Sequence, residues 1–165
     1  MEEKKYLRVL GLGNILLTDE GFGVHFTRIF NEKYRFPENA DIVDGGTLGY
    51  SLLDTISGTQ NLIVIDTIKT DDTPGSIYRF NKEEMKLHLP EPTSAHEVEF
   101  FDVLNQAELI EDSPETVFLC IVPYEYGDMN LEMTDKIQKR FQKMEDLLLK
   151  ELQKLNIVPE LKNCA

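Results

Sequence analysis

The chain has 165 residues, 41% of them hydrophobic and 28% charged, which is a globular composition long enough for one domain with its own core. Lys and Arg number 17 against 30 Asp and Glu, a formal charge of −13. Phosphate backbones and anionic membrane surfaces are gripped mainly by Lys and Arg, so this balance argues against nucleic acid and membrane surfaces as partners. No apolar run approaches the ~20 residues of a membrane span. Met1-Glu2-Glu3-Lys4-Lys5 leads straight into a strand-like segment without a secretory leader pattern. Cys120 and Cys164 form no C-x-x-C pair, and Cys120 sits in an apolar run and reads as core, which suits a reducing cytoplasm.

Along the chain the apolar pattern alternates between two periods. Tyr6-Leu7-Arg8-Val9-Leu10 reads as a strand ending at Gly11, and Phe22, Phe26, Ile29 and Phe30 then recur at helical spacing. Asp41-Ile42-Val43 is a short strand ending at Asp44-Gly45-Gly46, followed by a helical face at Leu48, Leu52, Leu53 and Ile56. Leu62-Ile63-Val64-Ile65 is a continuous apolar run rich in β-branched residues and bounded by polar ones, which suits a strand buried on both faces, and it ends at Asp66. Asp72-Thr73-Pro74-Gly75 is a turn by composition, and Ile77-Tyr78-Arg79-Phe80 a short strand suited to an edge. Residues 81–95 carry Pro90 and Pro92 and read as irregular. A helix begins near His96 with Val98, Phe101 and Leu104, and Thr116–Val122 is a second strand buried on both faces. Ile137, Phe141, Met144, Leu148, Leu152 and Leu155 predict the longest helix of the chain, its stripe facing the core. Strands alternating with helices give an α/β fold: a single domain over 1–165, a three-layer sandwich with a twisted, mostly parallel sheet and helices on both faces. Residues 1–5 and 157–165 are expected as tails.

In open α/β sheets ligands bind beyond the carboxyl ends of the strands. Those ends carry Gly11-Leu12-Gly13-Asn14 with Thr18-Asp19-Glu20, then Asp44, Asp66 and, after the last long strand, Pro123-Tyr124-Glu125; His96 opens the intervening helix. A dinucleotide site would need a third glycine where Leu16 stands, and the acidic rim repels pyrophosphate. Asp19 reads best as an N-cap, and Glu20 could serve only as a first-turn acid favoured by the helix dipole. Asp66 leaves a buried strand and must meet a cation, a donor or water; capping and functional roles weigh evenly there. His25 and His88 have no comparable context. Two carboxylates, Glu20 and Asp66, with the imidazole of His96 form a donor set suited to zinc or nickel with open positions.

The run Gly11-Leu12-Gly13-Asn14-Ile15-Leu16-Leu17-Thr18-Asp19-Glu20-Gly21-Phe22-Gly23-Val24 resembles the opening signature of the [NiFe]-hydrogenase maturation endopeptidases. Asp44-Gly45-Gly46-Thr47-Leu48-Gly49 is similar to that family's second motif, Leu62–Asp66 to its third and Ser94-Ala95-His96 to its fourth, in the same order and spacing. The resemblance implies a cytoplasmic peptidase that removes the C-terminal extension of a hydrogenase large-subunit precursor once nickel is inserted. It implies Glu20, Asp66 and His96 as metal contacts and a catalytic part for Asp44, with metallo-type and aspartyl-type attack both open. The nickel is expected to arrive with the substrate, and other divalent ions such as zinc suit the same donors. Ala95 departs from the proline common before the histidine, and the region after Pro123 matches poorly. The alternative is a non-enzymatic nickel-binding assembly chaperone. Two further rivals are weaker. A receiver domain needs a lysine near Val122-Pro123-Tyr124, and a peptidyl-tRNA hydrolase, which also opens with Gly-Leu-Gly-Asn, needs a basic patch.

Overall fold

A computed structural model describes residues 4–88 and 95–163, with the side chains of 88 and 95–99 outside that description. The first strand, β1 (Lys5–Leu12), leads through a short 3-10 turn at Thr18–Gly21 into α1 (Phe22–Lys33). There follow β2 (Tyr34–Arg35), β3 (Ala40–Gly46), a 3-10 turn at Gly49–Leu52, α2 (Leu53–Ser57) and β4 (Thr59–Thr67). The second half holds β5 (Ile77–Asn81), α3 (Lys82–His88), α4 (Ala95–Leu109) and β6 (Glu115–Ile121). It closes with α5 (Asp135–Gln138), α6 (Phe141–Lys154) and β7 (Glu160–Leu161).

Five strands form one sheet in the order β3-β1-β4-β6-β5. β3, β1, β4 and β6 run parallel, while β5 pairs antiparallel to β6 at the edge. The α/β class read from the alternating periods is therefore the observed one, and Ile77–Phe80 is the edge strand its composition suggested. Strand side chains alternate between two faces. Leu7, Val9, Ile63, Ile65, Leu119 and Ile121 meet α1 and α6 through Phe22, Phe26, Phe30, Met144, Leu148 and Leu152. Leu10, Leu12, Leu62, Val64, Phe118 and Cys120 meet α2, α3 and α4 through Ile56, Met85, Phe100, Val103 and Leu104. No helix among the described residues is long and apolar enough to cross a membrane.

α1 lies close enough to the sheet that backbones touch. A Cβ on Gly23 would stand 2.2 Å from the Ile65 carbonyl oxygen and 2.3 Å from that of Leu12; one on Gly11 would stand 2.4 Å from the Gly23 carbonyl oxygen. This approach turns the helix so that Gly23 and Thr27 face β1, which leaves Ile29 at the rim, 48% exposed, although its spacing suggested the core. Gly23→Ala is expected to cost about 3 kcal/mol or more, because the obstacle is backbone and not a movable side chain. Urea unfolding checks this; a loss below about 1 kcal/mol would show that α1 can lift away.

Four expectations change. Residues 82–88 are helical, not irregular: Asn81 Oδ1 accepts from Glu84 N–H and Glu84 Oε2 accepts from Asn81 N–H, both at 2.8 Å, a reciprocal cap that nucleates α3. Residues 89–94 lie outside the described residues. The long C-terminal helix is two helices, because Arg140 N–H bonds the Ile137 carbonyl at 2.9 Å and tightens the turn while its Nε donates to the Gly75 carbonyl at 2.9 Å. With α6 at 14 residues, α4 at 15 is the longer. The expected tail beyond residue 157 packs instead: Ile157 is buried and β7 pairs antiparallel with β2. Finally, α4 buries Phe100, Val103, Leu104 and Ala107, while Phe101 is only partly buried.

Candidate functional site

All four parallel strands end on one edge. The chain leaves β1 for β3 on one side, then crosses back over β1 to lay β4 on the other, so the strand order reverses between β1 and β4. A crevice opens at such a reversal because the connections diverge to opposite faces. Two acids flank it. Glu20 lies in the 3-10 turn after β1, 5% exposed, and this turn packs against β4. Asp66 is the next-to-last residue of β4, 6% exposed, with Oδ1 accepting from the Thr67 N–H at 2.7 Å. A buried carboxylate needs a counter-charge or donors. For Glu20 this is Lys69, whose Nζ stands 3.2 Å from Oε1.

The alternation of faces sorts the remaining candidates. Asp66 follows Leu62 and Val64 in phase and so belongs to the face covered by α2, α3 and α4. The helix that carries His96 in its first turn, α4, lies in that layer; the His96 side chain is outside the described residues. Asp44 belongs to the opposite face. It lies two strands from Asp66, roughly 10 Å across the sheet. Its Oδ2 accepts from Arg28 of α1, at 2.8 Å from Nε and 2.6 Å from the second guanidinium nitrogen, and its Oδ1 accepts from the Gly46 N–H at 3.1 Å. Arg28 and Asp44 wall a cavity of about 310 Å³ with Gly13, Asn14, Leu16 and Thr47. The rim thus carries one acidic site over each face rather than a single cluster. Among the described residues no three His, Cys, Asp or Glu side chains gather closely enough to hold a metal ion.

Asp19 is not an N-cap. It is fully buried, and it accepts hydrogen bonds from the N–H groups of Tyr124 (3.0 Å), Glu125 (3.1 Å) and Thr134 (2.8 Å) and from the Thr134 hydroxyl (3.0 Å). One carboxylate therefore ties the whole loop from β6 to α5 beside the turn that bears Glu20. Thr18 and Leu16 reinforce it: Thr18 N–H bonds the Asn130 carbonyl at 2.9 Å, and Asn130 N–H the Leu16 carbonyl at 3.0 Å. The sequence offered no signal for this, since the partners are three main-chain groups and one hydroxyl more than 100 residues away.

His25, one helical turn beyond Gly21, rests its ring on that glycine, and its Nε2 is buried with no hydrogen-bond partner among the described residues. Burial, and then the nearby Arg28 charge, push its pKa below the usual histidine value, against a smaller pull from Asp44. The folded chain thus takes up this proton less readily than the unfolded chain. His25 therefore contributes stability that is whole above about pH 6.5 and is lost as the pH falls toward the folded-state value. Denaturant midpoints at pH 7.5 and 5.5 are expected to fall further for the native chain than for His25→Gln; equal falls would show that the ring titrates as if exposed.

A family model of hydrogenase maturation proteases matches residues 24–151, more than three quarters of the chain. The chain belongs to the hydrogenase maturation protease family. Asp44, Asp66 and His96 lie within the matched span, and Glu20 lies just before it. The chain is 31% identical over 131 residues to the hydrogenase 2 maturation protease of Escherichia coli K12, covering 79% of this chain and 80% of that protein. It is 31% identical over 136 residues to the hydrogenase expression/formation protein HoxM of Azotobacter vinelandii, covering 81% of this chain and 66% of that one, just under two thirds of the relative's length. Its fold matches the hydrogenase maturating endopeptidase HybD of E. coli with a TM-score of 0.90 and 25% identity, over 97% of this chain and 99% of that one. The maturation protease HybD of Thermococcus kodakarensis matches with a TM-score of 0.73 and 29% identity, over 88% and 97% of the two chains. The likeness to this protease family, expected from four short motifs, thus extends over the whole fold.

Proposed function

We propose that this chain is an endopeptidase that removes the C-terminal extension of a [NiFe]-hydrogenase large-subunit precursor after nickel insertion, and that it recognises the nickel through Glu20, Asp66 and His96. The observation that carries the reading is the pair of buried carboxylates flanking the strand-order reversal, at the edge where the His96 helix covers the same face as Asp66. Two oxygens and one nitrogen from three separate elements leave room for the ligands that a metal already seated in a precursor would keep. The nickel is then part of the substrate, and its grip by the protease sets the position of the nearby peptide bond.

Hydrolysis adds the water oxygen to the scissile carbonyl carbon and returns a proton to the leaving amine. The attacking water would be activated either by the substrate's nickel ion or by Asp44, which its two contacts from Arg28 orient. Asp44 and the cavity beside it lie over the other face of the edge, so a precursor tail that crosses the rim would meet both. The sparse cysteines, with no C-x-x-C pair, support a cytoplasmic setting for the reaction.

Purified chain incubated with nickel-loaded and nickel-free precursor, followed by mass measurement of the large subunit, tests this. Many loaded precursors are expected to be shortened per molecule, and nickel-free ones left intact. Binding of loaded precursor without cleavage would point to the non-enzymatic chaperone instead, and equal cleavage of both forms would end the nickel recognition.

A further inference from the structure

Glu20 is already engaged. Lys69, just past the end of β4, sets its ammonium 3.2 Å from Glu20 Oε1, with its own side chain only 22% exposed. The same ammonium lies over the Tyr126 ring, 4.6 Å from the centroid. Tyr126 belongs to the loop that Asp19 ties down at Tyr124 and Glu125, so its backbone is held beside Lys69 while the ring lies at the surface, 56% exposed. The lysine is thus held between a buried carboxylate and an aromatic face. Neither contact is a strong anchor: a single ion pair is a point-charge attraction, and Lys has a flexible four-carbon stem. An ammonium pulled off Glu20 would keep its contact with the ring, which gives it a second resting place at little cost.

We propose that Lys69 is a specificity-determining residue that stands in for the metal at Glu20 and weakens the binding of free divalent ions, so that the site favours an ion brought by a bound protein partner. This rests on the reading of Glu20 as a nickel contact. A single positive charge held within about 5 Å of an arriving divalent ion opposes it even at the dielectric of water, enough to weaken binding of a free ion about tenfold. A docked precursor has its whole interface to offset that repulsion, whereas a free ion has only the three side chains.

Titration calorimetry of the full chain with Ni²⁺ alone, without precursor, tests the idea. Lys69→Met is expected to bind Ni²⁺ about ten times more tightly than the native chain, Lys69→Arg to bind like it, and Glu20→Gln to cancel the gain in the double variant. Free Ni²⁺ is also expected to inhibit precursor cleavage by Lys69→Met at concentrations that leave the native chain working. Thermal melts confirm that each variant is folded. If Glu20→Gln weakens nickel binding while Lys69→Met does not strengthen it, the role of Lys69 falls and the reading of Glu20 stands. If Glu20→Gln binds as the native chain does, Glu20 is no nickel contact and both fall. If neither the native chain nor Lys69→Met binds the free ion, the lysine is not what excludes it.

Discussion

Asp19→Ala is expected to lower the unfolding free energy by about 3–4 kcal/mol. Its carboxylate receives three main-chain N–H groups and one hydroxyl, all from the loop between β6 and α5. Each buried donor left without an acceptor costs about 1–3 kcal/mol, reduced where the loop can turn that donor to water. Asp19→Asn keeps one acceptor oxygen but aims an amide N–H₂ at donors, so it is expected to lose at least half as much. Urea unfolding measures the size, and amide exchange at Tyr124, Glu125 and Thr134 reads the place. Protection there that survives Asp19→Ala would show that the bonds at Leu16 and Thr18 hold the loop alone.

Glu20→Gln and Asp66→Asn are each expected to reduce cleavage of nickel-loaded precursor at least about a hundredfold, more than the loss usual for groups that only support a metal ligand. Both replacements keep shape and remove charge, so stability is expected to change by less than about 1 kcal/mol. Lys69, once released from Glu20→Gln, still has solvent and the Tyr126 ring. His96→Ala is expected to match them. The check is the rate of mass loss from the precursor, with denaturation midpoints alongside. Asp66→Asn that cleaves normally would remove Asp66 from the site, and the proposed donor set with it.

The fold was largely legible because it rests on local periodicities. Leu62–Ile65 and Thr116–Val122 lie in neighbouring parallel strands inside the sheet, as continuous apolar runs predict, and the phenylalanines at 22, 26 and 30 mark the buried face of α1. The misreadings have local causes too. The irregular reading of residues 81–95 rests on Pro90 and Pro92, which lie beyond α3, whereas the helix is started by the Asn81–Glu84 cap, a local pattern that the prolines do not touch. The break between α5 and α6 lies in a stretch whose apolar spacing continues unbroken, since the turn at Arg140 is made by main-chain bonds and by Gly75, far off in the chain.

The order of the motifs along the chain, the acidic rim and the residue types that could grip a divalent ion are properties of the sequence itself, because composition and spacing are carried by single residues and their neighbours. Which acids share a face is another matter. Only the strand order β3-β1-β4-β6-β5, together with the two-residue alternation of β3 and β4, assigns Asp66 to the layer of α4 and Asp44 to that of α1 with Arg28. Only the folded loop shows that Asp19 is a buried tie and that Lys69 occupies Glu20. Hydrogen bonds and ion pairs between residues far apart in the chain leave no trace in spacing; they exist once packing has brought the partners within reach of each other.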